Sequence, residues 1–442
     1  PTLVDGAIYT ISFDAKDLGG NAATTISNTA ITYDVSAPTI SSTLPAASSY
    51  VNHARVSYTL SEAISSGTVT WTRTGGSEDT NSPYAKALSG DELNTGAHTD
   101  ITLTNSPTLI DGAIYTVSFG ATDFAGNSAT TVSTTGITYD VSAPAISSTT
   151  PSQNSYVNNT KVSYTLSEAV ASGTITWTQT GGSADSNSPH AKALAGDELN
   201  TGAHTDITLT NNPTLVDGAI YTISFDAIDA AGNAAATVYA NNVTYDVSPA
   251  EVTDISIANN DYVGSREIIF VADELTSSGM VTFTRTGGTE DGGSPHSKTV
   301  TGPTTIDNEY NGYKYQMHTD VDFTKLVDAA IYTINFSVTD LAGNQASIDK
   351  KNIIYDNTPP VSVLLSPTSN SYTKHTKVSY SLSENAKSVM FYWNNTDTNS
   401  GDYFEIYVSG DSLKAGEYLD IELNPKVTDG QSYHINMAVK DL

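Results

Sequence analysis

The strongest constraint on this chain is that it repeats itself. PTLVDGAIYT (1–10) returns as PTLIDGAIYT (107–116) and PTLVDGAIYT (213–222), more loosely as KLVDAAIYT (325–333), and again as KVTDGQSYH (426–434). The aligned aspartates are Asp5, Asp111, Asp217, Asp328 and Asp429, spaced 106, 106, 111 and 101 residues apart. Residues 1–106 and 107–212 share 79 identities. Solenoid repeats run to roughly 20–50 residues, so this period is too long for a unit that stacks to complete its core. It fits one small all-β domain with a core of its own. Natural boundaries fall at the TYDVSAP segments, where a strand ends and Pro opens the next module. The expected division is 1–35, the end of one module; 36–141; 142–247; a divergent 248–357; and 358–442, a module without its last strand. The chain starts at Pro1 and ends inside a module, as expected of a window cut from a longer polyprotein. The competing explanation, that the first fragment completes the last of a neighbouring molecule, leaves an 18-residue overlap unused.

Within 142–247 apolar residues alternate with period two, and no segment has a helical period. Strands are expected at 145–150, 161–166, 174–180, 204–210 and 219–226, with a last one ending at VTYD. A weaker strand near 191–194 would take the place of strand D. Val162, Tyr164, Leu166, Ile175, Trp177, Ile207, Leu209, Tyr221, Ile223, Phe225, Val243 and Tyr245 form the expected inward set. Seven short strands with turn residues about every ten positions predict an all-β chain, a tandem array of immunoglobulin-like β-sandwiches. Trp71, Trp177 and Trp393 recur on the third strand, where Ig domains bury a Trp, and Phe283 replaces it in the divergent module. The run Asp111 to Tyr115 leads into a tyrosine corner; two residues on, where antibody domains carry Cys, stands Val117.

Those features, with ATDFAGN (121–127) and ITYDVSAP (137–144), resemble the tandem bacterial Ig-like (Big-type) domains of large surface proteins and adhesins. The resemblance runs through the whole chain and implies secretion and a structural or adhesive role at the cell surface.

Composition narrows the chemistry. The chain has 48 acidic and 19 basic residues and a formal charge of −29. Nucleic-acid binding needs a basic face, so that class is excluded. No apolar run has the eighteen or so residues of a membrane span. Zero Cys removes disulfides, thiolate metal sites and Cys nucleophiles. With 25 Tyr and abundant Val, Ile and Thr, the chain should fold despite its acidity. No catalytic motif is present, and enzyme activity is not expected. His98, His204 and His318 each precede an Asp (Asp100, Asp206, Asp320) by two residues, which places each pair on one solvated strand face.

The acidic residues recur by position. Asp34, Glu62, Asp123 and Asn127 should meet where modules join, as should Asp140, Glu168, Asp229 and Asn233, and Asp246, Glu274, Asp340 and Asn344. The last junction has Asp356, Glu384 and Asp441. Three carboxylates and an amide suit a hard cation such as Ca²⁺, which takes six to eight oxygens. The same residues also read as plain turn chemistry, since Asp and Asn favour turns. Asp91-Glu92 and Asp197-Glu198 read as an exposed loop, with a second cation site as the alternative. Sequons at Asn158, Asn242, Asn335 and Asn394 do not align across the repeats.

Three functions follow from this reading. The first is an extracellular stalk, filament or surface-layer array stiffened by calcium. The second is an adhesin that binds glycan or protein through the divergent module, where Tyr310, Tyr313 and Tyr315 would form an aromatic platform or, equally, pack between modules or subunits. The third is a self-assembling filament subunit. The expected partners are further copies of the repeats, with a surface glycan or protein as the second choice.

Overall fold

The computed structural model describes residues 1–264, 267–301, 307, 309, 311–318, 322–323, 325–397 and 401–441. It divides into two compact units, Pro1–Asp246 and Val247–Leu442. The first opens with a hairpin, Ile8–Phe13 paired with Ile26–Thr32, followed by two modules of the same topology.

The second of these shows the pattern. Its strands are β1 (Ile146–Thr150), β2 (Tyr156–Val157), β3 (Val162–Leu166), β4 (Ser172–Gly182), β5 (His190–Ala193), β6 (Gly202–Ile207), β7 (Ala219–Ile228) and β8 (Val238–Tyr245). One sheet has the order β1-β3-β6 and the other β2-β8-β7-β4-β5. Two sheets face each other, as an Ig-like sandwich requires. The expected alternation is realised: Val162, Ile175, Trp177, Tyr221, Ile223 and Val243 are buried between the sheets, each worth roughly 1.5–3 kcal/mol of burial. Ile207 and Tyr245 are partly buried at its margin.

One expected strand changes sheets. His190–Ala193 pairs with β4, Trp177 opposite His190, and so extends the five-stranded sheet instead of lying beside β6. The short β2 was not expected at all; it pairs in parallel with the end of β8. Gly182 ends β4 at φ +67, and a Cβ there would stand 2.1 Å from the Gly218 carbonyl oxygen. That close approach explains why T-G-G closes this strand at Gly76, Gly182 and Gly288.

The Asp-Gly-Ala-Ile-Tyr run does form a tyrosine corner. The Tyr221 hydroxyl accepts from Val216 N (3.0 Å) and donates to Asp185 Oδ2 (2.7 Å). The buried Asp185 also accepts from His190 Nε2 (2.6 Å) and Asn187 N (3.0 Å). These donors, His190 first, hold its carboxyl below the ordinary aspartate range. Burial, opposed in part by the Val216 N–H, pushes the Tyr221 phenol up to about 12. Asp79 with Tyr115 and Tyr84, and Asp291 with Tyr332 and His296, repeat the arrangement. This acceptor ties the loop after β4 to the corner.

In the second unit, the divergent module keeps the five-stranded sheet, with Tyr262–Val263 on one edge and His296–Thr301 on the other. Phe283 is buried and packs 4.7 Å from Phe323, filling the space of the larger Trp. Of the expected aromatic platform, the described tyrosines belong to the core. Tyr315 is buried and stacked on Phe270 at 4.5 Å, Tyr313 packs against the same core, and Tyr310 lies outside the described residues. The last module has a sheet of three strands: β9 (Ser388–Asn395) lies between β10 (Tyr403–Val408) and β11 (Tyr433–Lys440).

Candidate metal centre

The site is built from three local elements of one module. Asp140 closes the chain entering 142–247, Glu168 follows β3, and Asp229 opens the turn after β7. Each position has a local cause. The Asp140 carboxylate accepts from Ser142 N (3.1 Å), an Asx turn at the linker. Asp229 Oδ1 accepts from Ala231 N (2.8 Å) and Asn233 N (2.8 Å), while Oδ2 accepts from Asn233 Nδ2 (2.7 Å). The same turn forms at Asp17–Asn21, Asp123–Asn127 and Asp340–Asn344. So the turn reading is correct for D-x-A-G-N.

It does not exhaust these residues. One carboxylate oxygen from each of Asp140, Glu168 and Asp229 lies within 4.8 Å of the others, and Asp34, Glu62 and Asp123 form an equivalent group. Asp123 and Asp229 are only 2% and 3% exposed, so solvent screens these charges poorly. Among the described residues, no Lys, Arg or His pairs with any of the six. Burial first, then the charges of Asp140, Asp229 and Asp111, raise the Glu168 carboxyl above the glutamate range. Burial and then Asp34, Asp123 and Asp5 do the same to Glu62. Asp123 moves the other way: burial raises it, but hydrogen bonds from Asn127 and the turn amides outweigh that.

In the second unit Glu384 is raised by burial and by Asp356, Asp441 and Asp328, and its buried Oε1 has no hydrogen-bond partner. Asp246 closes the first unit, while Glu274, Asp340 and Asn344 belong to the second.

Two expectations need correction here. The asparagines do not turn an oxygen toward the carboxylates. Asn127 Nδ2 donates to Asp123 Oδ2 (2.8 Å) and to the Asp34 carbonyl (3.1 Å); Asn233 does the same to Asp229 and Asp140 (3.0 Å). An amide oxygen in that place would face a carboxylate oxygen, so the NH₂ orientation is the one chemistry allows. Asn344 likewise donates to Asp340. These residues fasten the turn to the linker and leave the donor set to the acids. The Asn233 oxygen instead accepts from Asn52 Nδ2 of the preceding module (3.2 Å).

A fourth carboxylate was missed as a site residue. Asp111 accepts from Val141 N (2.8 Å) and Ser142 Oγ (2.7 Å), fixing the linker that carries Asp140, and its charge reaches Glu168. Asp5 holds Val35 and Ser36 this way, and Asp328 holds Asn357 and Thr358. Its signal was in plain view, since this aspartate anchors the repeat alignment.

Other acidic positions are structural. Glu92 is buried: Oε2 accepts from Ser89 N (2.8 Å) and Oε1 from Thr104 N (2.7 Å), so Asp91-Glu92 is not an exposed loop. Glu198 repeats these bonds. His98 and Asp100 do not share a strand face. Asp100 sits at φ 49 in a bulge and pairs with Arg55 (2.8 Å), while His98 stacks on Tyr58 at 4.7 Å. Asp206 bends at φ 48 in the same way, and Asp320 lies outside the described residues.

The carboxylate groups fit a hard divalent cation. They bring three acids together without a basic partner, and three carboxylates supply up to six of the six to eight oxygens Ca²⁺ takes. Among the described residues, no helix is long and apolar enough to cross a membrane.

Residues 34–138 and 140–248 match the family described as bacterial Ig-like domain. No curated protein matches the chain. Among solved structures it is similar to a tetra-tandem repeat from the extending region of a large adhesion protein. That likeness has 18% identity over 92% of this chain and 99% of the other, with a TM-score of 0.23. A Ca²⁺-stabilized adhesin that helps an Antarctic bacterium reach out and bind ice is similar at 15% identity, over 92% and 98% of the two chains, with a TM-score of 0.23. The FN1–FN3 domains of chicken CNTN1 are similar at 14%, over 72% and 100%, with a TM-score of 0.28.

Proposed function

We propose that this chain, whose residues 34–138 and 140–248 match the bacterial Ig-like domain family, is a load-spacing stalk of a bacterial surface protein whose junctions are locked by calcium. The observation that carries this reading is the clustering of Asp140, Glu168 and Asp229, repeated at Asp34, Glu62 and Asp123, with no basic partner. A group of clustered acids, one buried and two partly buried, works against the fold in the absence of a cation. With Ca²⁺ bound, the same residues join the linker, the segment after β3 and the turn after β7 into one rigid piece. Near-identity of neighbouring modules supports spacing as the task, because a spacer needs length and not variety.

Calcium sets stiffness in this mechanism and takes no part in any reaction. In an extracellular medium rich in Ca²⁺ the array is held extended; where Ca²⁺ is withdrawn, the linkers bend. Small-angle scattering of the full chain in calcium and in chelator tests this directly. A maximum dimension that shortens on chelation, with a lower melting temperature, is expected. Identical scattering and melting in both buffers would sink the calcium lock and leave a cation-independent stalk.

A further inference from the structure

The last module differs from the others on one surface. In 36–141 the outward residues of the strand pair Ser66–Gly76 and Tyr84–Ala87 are small: Thr68 opposes Ala87 and Thr70 opposes Ala85. In 142–247 they are Thr174 with Ala193 and Thr176 with Ala191. In the last module the same register positions on β9 and β10 hold Met390 opposite Tyr407 and Tyr392 opposite Glu405, with Tyr403 beside them. Tyr403 and Tyr407 are 51% and 64% exposed. The rings of Tyr392 and Tyr403 lie 6.1 Å apart at 34°, and the Tyr403 hydroxyl donates to Glu405 Oε1 (2.7 Å).

Folding does not ask for these rings. The core of this sheet is supplied by Val389, Phe391 and Trp393 on the opposite face, and in the other modules the positions of Tyr392 and Tyr407 hold Thr and Ala or Thr, although Met280 of the divergent module stands where Met390 does. Clustered exposed aromatics mark a contact surface.

We propose that this face of β9 and β10 is a stacking platform for a neutral glycan chain. Three observations select that occupant. The surface is a strand face, so it presents rings side by side, which suits the C–H faces of successive pyranoses. Glu405 lies among the rings as a hydroxyl acceptor. No basic side chain stands among these five residues, His434 and Lys440 lie at the two ends of the same face on β11, and the chain carries −29, so phosphate, sulfated or uronic polymers and anionic membranes are disfavoured. A protein partner needs a contact on the order of 800 Å² per side, far more than three tyrosines and a methionine offer.

The test uses the full chain on microcrystalline cellulose, chitin and an array of neutral oligosaccharides, with polygalacturonate as the acidic control. Retention on at least one neutral glycan, insensitive to salt, is expected. Y392T/Y403A/Y407A, which removes the three rings, should weaken it by at least about tenfold. Tyr403→Phe with Tyr407→Phe keeps the rings and should retain most of the affinity. Unchanged tryptophan fluorescence would show that the variants are folded. The proposal is overturned if no neutral glycan is retained, if the triple variant binds as well as the parent, or if only polygalacturonate binds. It is equally overturned if sedimentation shows the parent dimerising through these residues, which would make the face a contact between copies.

Discussion

Asp185 and Glu168 belong to the same module and face opposite problems. Asp185 is surrounded by donors: a phenol, an imidazole and a backbone amide. Its carboxyl is held low, and its charge is part of the fold. Glu168 is surrounded by burial and by other acids, and its carboxyl is raised. The difference separates two uses of acid in one −29 chain. An acid among donors is structural glue; an acid among acids is a request for a cation. The rule also operates inside the junction, where Asp111 is held low by Val141 and Ser142 while Asp140, a short step along the same linker, is raised by burial and its acidic neighbours.

The comparison breaks most visibly at its structural end. Asp185→Ala strips the Tyr221 hydroxyl and His190 of their acceptor inside the sandwich. Hydrogen bonds to a charged group are worth about 1.5–3 kcal/mol, so a loss near 3 kcal/mol is expected. Hydrogen exchange should report it as faster opening of β7, with the same increment in calcium and in chelator. A calcium-dependent increment would mean that Asp185 is coupled to the junction and that the separation drawn above is false.

Glu168→Gln should do something Asp185→Ala cannot, which is to change sign with the buffer. In chelator it removes one of three clustered charges and is expected to raise the melting temperature slightly. In calcium it removes a ligand. The parent should gain about 2.7 kcal/mol per site when Ca²⁺ is a hundredfold above Kd, and the variant should forfeit that gain at this junction. Calorimetry in both buffers gives the four values needed. A variant destabilised equally in both would show Glu168 to be ordinary packing.

Acidity separates the two groups without mutation. A raised Glu168 or Glu62 makes the folded state the better proton binder, so in chelator stability rises as pH falls from neutral toward the glutamate range. Asp79, Asp185 and Asp291 are lowered, so their contribution is present above the ordinary aspartate value and is lost as pH falls below it. Stability in chelator, followed by melting temperature, should therefore pass through a maximum on acidification, with a rise on the order of 1 kcal/mol or less. Calcium should flatten the rising limb, because bound cation already offsets the repulsion. A monotonic fall from neutral pH in chelator would contradict the raised junction acids.

Much of this was legible in the sequence, for identifiable reasons. The sandwich core was legible because strand periodicity is local, and Trp177, Tyr221 and Phe225 lie on it as expected. The junction acids were legible because repetition aligned them: Glu168 has no motif of its own, but Glu62 and Glu384 stand at the same phase. What failed was whatever depends on a distant partner. Asp185 sits in GGSADSNSP and looks like a turn former until the corner tyrosine, 36 positions on, is folded against it. The neighbour of His190–Ala193 was not legible, because its sequence does not say which strand it pairs with. The asparagine of D-x-A-G-N was read as an oxygen donor, though the charge of the aspartate beside it selects the NH₂. Tyr392 and Tyr403 each look ordinary on a strand, and only cross-strand register makes them neighbours.

The smallest expected effect lies where neither acid class operates. Asn52 Nδ2 donates to the Asn233 oxygen across the joint between 36–141 and 142–247, a neutral bond that needs no cation. Asn233 is thereby held at three points: its own turn, the linker carbonyl of Asp140 and the preceding module. Asn52→Ala removes only the last. The loss should be about 0.5–1.5 kcal/mol and confined to the joint, leaving the core strands at their parental exchange rates. In chelator, where the acids repel, the turn is held to the preceding module by this bond and by the Asn233 bond to the Asp140 carbonyl, so losing one of the two should quicken exchange at 232–234. In calcium the cation should hold the same turn and mask the substitution. Quickening of equal size in both buffers would show that the amide bond and the carboxylates act independently, and the junction would then have two separate locks instead of one reinforced by the other.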